Sequence, residues 1–190
     1  MRAHVGRPLI VHAAELLRRP GSEREVRVEV TLDELGVHDD RFEPDRAVEV
    51  VLHLESLSDG IVVRGEVGIH WRGICRRCVQ PVSGHEAAQV HELYQQTITD
   101  PDAFPITGDQ LDLGPMVREH ALLVVPDGPL CRPDCAGLCP HCGIDRNEHT
   151  CTCVVERVDD RWAALDALRS TLGADDDTAI TPSEEWSSGD

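Results

Sequence analysis

The sequence predicts an α+β fold, a mainly antiparallel β-sheet with flanking helices and a cysteine-rich loop. Three observations point to it. Apolar and polar residues alternate over residues 47–57 and 61–71, and Ser58-Asp59-Gly60 lies between them. Apolar residues near helical spacing run through 111–125, and six of the eight cysteines crowd into the turn-rich stretch 126–153.

Residues 8–19, PLIVHAAELLRR, predict a short helix closed by the Pro20-Gly21 break. Residues 25–30, EVRVEV, have the period-two alternation of a half-buried strand. In the next two segments Val48, Val50, Leu52 and Leu54 share one face, as do Ile61, Val63, Gly65, Val67 and Ile69. The Asp59-Gly60 pair between them is a tight-hairpin signature. Residues 82–95 predict a further strand returning along the sheet. Residues 97–109, with Pro101, Pro105 and Gly108, predict a loop. The helix over 111–125 uses Leu113, Met116, Val117, Ala121, Leu122 and Val124, and it must stop before Pro126. Over 161–172, Trp162, Leu165, Leu168 and Leu172 recur at three or four residues, an amphipathic helix able to lie on the sheet. Residues 173–190 hold six acids and no base, and predict an acidic disordered tail. The expected organisation is one domain over 1–172, with the cysteine segment 131–153 inside it.

The formal charge is −17, and all eighteen basic residues are arginines. Such acidity argues against non-specific coating of nucleic acid, which requires neutralising cations. Six aromatic residues are too few for a base-stacking platform. An acidic surface suits a basic protein partner, or simply keeps the protein soluble. No run of eighteen apolar residues is available to cross a membrane, and residues 1–19 lack the apolar stretch of a secretory signal. The expected location is the cytoplasm, where thiols stay reduced.

The cysteines are spaced C-x2-C (Cys75, Cys78), C-x3-C-x3-C-x2-C (Cys131, Cys135, Cys139, Cys142) and C-x-C (Cys151, Cys153). Short spacings let two thiolates from one turn reach a tetrahedral zinc ion at about 2.3 Å. Cys139-Pro140-His141-Cys142-Gly143 matches a zinc knuckle, in which the glycine frees the backbone so that amides aim at the sulfurs. Eight thiolates suffice for two closed, structural Zn2+ sites. The economical partition joins Cys139, Cys142, Cys151 and Cys153 locally, leaving Cys75, Cys78, Cys131 and Cys135 as a long-range staple whose binding energy is folding energy. His141 and His149 could each replace a cysteine, one site with spare thiols is an alternative, and four thiolates also suit iron. Cys75-Arg76-Arg77-Cys78 has oxidoreductase spacing too, although no βαβ context surrounds it.

With these residues in place, the chain resembles the YceD family, the large ribosomal RNA subunit accumulation proteins. The resemblance rests on Arg72-Gly73-Ile74-Cys75-Arg76-Arg77-Cys78, on LVVPDGPLCRPDCAGLCPHC at 123–142 followed by Gly143, on Cys151-Thr152-Cys153, and on DRWAAL at 160–165. It spans about residues 8–170; the family's proline after the aspartate is missing at Asp160-Arg161. It implies a non-enzymatic role in ribosome assembly, with a pre-ribosomal large-subunit particle, rRNA or a basic ribosomal protein as partner.

Local charge reverses around Cys75: residues 61–80 carry Arg64, Arg72, Arg76 and Arg77 against Glu66 alone. Arg72, Arg76 and Arg77 are therefore the expected RNA or ribosome contact, although Arg76 and Arg77 could equally screen a four-thiolate zinc site. His53, His70, His85 and His91 read as exposed or satisfied strand residues. No nucleophile elbow, phosphate loop or dinucleotide fingerprint occurs, and no small-molecule substrate is evident. Two further readings are a thiol redox protein acting through Cys75 and Cys78, and an acidic adaptor or chaperone for basic ribosomal proteins.

Overall fold

The computed structural model describes residues 9–153; the expected helix over 161–172 and the acidic tail lie outside these residues. The chain enters through β1 (Ile10–His12), α1 (Ala14–Arg18) and β2 (Glu23–Val30), then β3 (Val48–Ser56), β4 (Ile61–Ile74) and β5 (Pro81–Gln95). Two short strands, β6 (Phe104–Pro105) and β7 (Gln110–Asp112), lead to α2 (Gly114–Val124). The main sheet has the order β2-β3-β4-β5-β6, antiparallel throughout except for the parallel β5–β6 pair. This is the α+β architecture that the alternating pattern predicts.

The inward face carries Val48, Val50, Leu52 and Leu54 of β3 and Ile61, Val63, Val67, Ile69 and Trp71 of β4, all buried. α2 lies against β4 and β5 and buries Met116, Val117 and Ala121. Tyr94 at the end of β5 is fully buried and stacks on Phe104 at 5.1 Å. At Gly65 the β4 backbone takes φ +146°, and a Cβ there would stand 2.1 Å from the Val51 carbonyl oxygen. Two strands can approach this closely only because that side chain is absent.

Two expectations are corrected. Helix over 8–19 shrinks to α1, because residues 10–12 pair with β7 instead, Val11 opposite Leu111. A β-branched Ile10-Val11 pair is better satisfied by a strand partner than by a short isolated helix. For the same reason the helix over 111–125 begins only at Gly114, residues 110–112 serving as the partner strand, and it ends before Pro126 as expected. The expected loop over 97–109 contains β6.

Candidate metal centre

β4 and β5 form the longest hairpin among the described residues, paired from Ile61–Tyr94 to Ile74–Pro81. The chain reverses between those strands through Cys75-Arg76-Arg77-Cys78-Val79-Gln80. Within this turn the Cys75 N–H donates to the Gln80 carbonyl at 2.8 Å, and the Val79 N–H donates to the Cys75 carbonyl at 2.9 Å. The second C-x2-C repeats the pattern: Cys139 N–H to Ile144 carbonyl at 2.8 Å, Gly143 N–H to Cys139 carbonyl at 2.9 Å. Both C-x2-C pairs are thus the same knuckle, built once as a hairpin turn and once in the cysteine-rich loop.

The loop after α2 docks onto the first knuckle from both sides. Arg76 N–H donates to the Pro129 carbonyl at 3.0 Å, and Leu138 N–H donates to the Arg77 carbonyl at 2.9 Å. The Arg77 guanidinium closes the arrangement with a 2.9 Å bond to the Cys135 carbonyl. Cys131 and Cys135 are thereby carried to Cys75 and Cys78, with the four sulfurs within 4.8 Å of one another. Cys75 and Cys135 sulfurs are 3.8 Å apart, and Cys78 and Cys131 sulfurs 3.6 Å apart. Four sulfurs about 2.3 Å from a tetrahedral zinc are about 3.8 Å apart. A disulfide would need about 2.05 Å. The sulfur spacing fits the ion.

Electrostatics agree with the geometry. Hydrogen bonding by the Cys78 amide, aided by the Cys131 and Arg77 amides, holds the Cys75 thiol down at about 6 despite burial. Burial opposes ionisation of Cys135, but the Asn147 side chain and the Gly137 amide outweigh it and lower this thiol too. Burial pushes Cys131 up to about 12, with the neighbouring Cys135 sulfur adding to the rise. Cys78 accepts from the Gln80 amide, yet burial and the Cys75 sulfur raise it overall. Hydrogen bonds therefore favour the thiolate at Cys75 and Cys135, while burial holds back ionisation at Cys131 and Cys78. A divalent cation removes that restriction, since it favours all four thiolates.

Asn147 is the residue that the sequence reading missed. Its Nδ2 donates to the Cys135 sulfur at 3.4 Å and to Asp145 Oδ1 at 2.6 Å, while its Oδ1 accepts from the Ala136 N–H at 2.7 Å and from Arg132 at 2.8 Å. It orients a ligand from outside the ligand set, as outer partners of metal sites do. Nothing in its spacing marks it, because its role depends on a turn formed only when the loop closes.

The sulfurs of Cys139, Cys142, Cys151 and Cys153 also gather within 4.8 Å, so the eight cysteines divide into the two groups of the economical partition. Neither group includes His141 or His149. Of the expected contact residues, Arg72, Arg76 and Arg77 are all exposed beside the first group. Arg72 Nε donates to the Asp40 carbonyl at 3.1 Å, and the Arg76 stem packs over Gly128. Arg64 is apart from them, paired to Glu55 at 2.8 Å.

Comparison with known proteins places the site in a family. Residues 63–169 match the family described as "Large ribosomal RNA subunit accumulation protein YceD". A Mycobacterium tuberculosis protein and a Mycobacterium bovis protein are each 31% identical to the chain, covering 92% of it and 86% of the relative. A Mycobacterium leprae protein is 28% identical, covering 85% of the chain and 78% of the relative. All three are described as uncharacterized proteins. No solved structure matches.

Proposed function

The chain belongs to the YceD family of large ribosomal RNA subunit accumulation proteins, and from that membership we propose that it is a non-enzymatic factor in large ribosomal subunit assembly, acting in the cytoplasm. Zinc ions held by the two cysteine groups would brace the surface that meets the pre-ribosomal particle. The observation that carries this reading is the tip of the β4–β5 hairpin. There exposed Arg72 and Arg76 and two apolar residues left open to solvent, Ile74 (61% exposed) and Val79 (59%), flank the buried Cys75 and Cys78 in the chain. Cations alternating with open apolar side chains, on a rigid metal-braced turn, suit an rRNA backbone or a ribosomal protein. Arg77 belongs more to the brace than to the contact, since it is bonded to the Cys135 carbonyl.

A thiol redox role through Cys75 needs a sulfur that a substrate can reach. Cys75 is 1% exposed and Cys78 3%, so the lowered thiol of Cys75 favours metal ligation over nucleophilic chemistry.

Sucrose-gradient fractionation of cell extract at low and moderate salt tests the proposal. The expected result is co-sedimentation with large-subunit precursors, lost on raising salt and lost in an Arg72→Glu/Arg76→Glu variant that keeps its zinc. Sedimentation at the top of the gradient under every condition would overturn the assembly role. Binding to an isolated basic ribosomal protein, with none to RNA, would instead favour the acidic adaptor reading.

A further inference from the structure

On the outer face of the main sheet three ligand-type side chains from three adjacent strands converge. Glu49 is on β3, His70 on β4 and His85 on β5, and one ligand atom from each lies within 4.8 Å of the others. We propose that this trio is a second kind of metal site, a two-histidine, one-carboxylate site for a divalent transition-metal ion such as Zn2+ or Ni2+.

The placement follows from register. His70 and His85 are directly opposed across the β4–β5 ladder, and Glu49 is opposite Gly68, two residues from His70 on the same face. Directly opposed side chains on neighbouring strands share a face about 5 Å apart, and side chains two apart on one strand, or diagonal across the ladder, share it about 7 Å apart, within reach of long side chains. The two imidazole rings stand 4.8 Å apart between centroids and are tilted by 58°, too inclined to stack in parallel. Among the described residues neither ring has a hydrogen-bonding partner, so the nitrogens of both are open to a ligand.

Gly68 supplies an independent observation. It lies in mid-strand, where glycine weakens a sheet and often marks close approach of another group. A Cβ at this position would meet His85 Nε2 at 3.0 Å and the Glu49 Cβ at 3.5 Å. The missing side chain is thus what lets the His85 ring lean over β4 towards Glu49. An N/O ligand set around tetrahedral zinc spans about 3.4 Å, so modest side-chain rotations complete the geometry from the observed separation. Imidazole and carboxylate select ions of the zinc and nickel type, in contrast to the all-thiolate groups. The remaining coordination positions face solvent, because Glu49 and His85 are exposed and His70 half-buried. Such a site is open and exchangeable. Glu29, which opposes Glu49 on β2, adds a second carboxylate beside it and further favours a cation.

The test is calorimetric titration of Ni2+ into the full-length protein brought to two zinc ions per chain, one for each cysteine group, with histidine ring signals followed by NMR. The expected result is one Ni2+ bound per chain, with paramagnetic broadening confined to His70 and His85. His85→Ala should weaken binding on the order of tenfold or more, and His70→Ala/His85→Ala should abolish it. Gly68→Ala, which leaves every ligand in place but displaces the His85 ring, should also weaken it. His53→Ala/His91→Ala, altering two other histidines of the same sheet, should not. Either of two outcomes would overturn the site: undiminished nickel binding in the double variant, or broadening spread evenly over all ten histidines. Circular dichroism of each variant verifies that the fold persists.

Discussion

Val79 and Gly143 occupy the same position of the two cysteine knuckles, and both are in the left-handed region, at φ 63° and φ 73°. Gly143 adopts this backbone without cost. Val79 is β-branched, and is the one non-glycine residue with positive φ among the described residues. That conformation costs on the order of 1–3 kcal/mol for such a residue. Glycine also loses more entropy on folding, which offsets part of the relief. Val79→Gly should therefore stabilise the zinc-loaded protein by about 1 kcal/mol, read as a raised thermal midpoint. Because Val79 is also an exposed apolar residue of the proposed contact surface, the same variant should weaken particle binding while stabilising the fold.

The long-range four-sulfur group should be a folding element. Cys75→Ser should lower the zinc content by one ion per chain in native mass spectrometry. A strong chelator should melt the loop between α2 and the second knuckle, since binding energy at such a site is folding energy. An unchanged zinc count in Cys75→Ser would remove Cys75 from the ligand set.

Asn147→Ala should leave all the sulfurs in place yet weaken zinc at the first group. Loss of an outer hydrogen bond to a ligand typically costs about 10–100-fold in metal affinity. Competition with a chromogenic chelator measures it directly, and Asn147→Asp should fare no better, because a carboxylate cannot donate to the Cys135 sulfur.

The Arg41 guanidinium, bonded to Asp39 at 2.8 Å, holds the Asp39 carboxyl below the usual carboxylate range, and it also reaches Asp127, 86 residues along the chain, at 2.6 Å. A carboxyl depressed in the folded state contributes stability above its unfolded pKa and loses it as pH falls through the folded one. Both partners are partly solvated, so the effect is small. Asp39→Asn should flatten the acid limb of a plot of thermal midpoint against pH, its difference from the parent protein vanishing only once pH has fallen through the lowered pKa of Asp39.

Gly65→Ala should be severe. The new Cβ would strike the Val51 carbonyl oxygen in the middle of the sheet, at a φ that alanine avoids. A cost of about 3 kcal/mol or more is expected in chemical denaturation. A cost below about 1 kcal/mol would mean that β3 and β4 can separate there without penalty.

The alternating faces of β3 and β4, the turn at Asp59-Gly60 and the stop before Pro126 were all readable, because each depends on residues a few positions apart. Residues 10–12 and 111–112, expected in helices, are strand for the complementary reason: each pairs only because the other lies beside it, about a hundred residues away in sequence. His70 and His85 were likewise passed over as ordinary strand residues, since their opposition follows from the register of a hairpin whose turn lies beyond residue 71.

By itself the sequence determined the chemistry on offer: eight cysteines at metal-ligand spacing, a knuckle that needs glycine or its equivalent after the second thiol, and a local surplus of arginine in an acidic chain. Ligand type and short spacing are local properties, and they survive in any fold that keeps the turn. Only the tertiary structure decided which sulfurs meet, that Asn147 steadies Cys135, that Arg77 is part of the brace, and that Glu49, His70 and His85 converge over Gly68. Those relationships join residues that are close in space but far apart in the chain, and pairing of the strands is what brings them together.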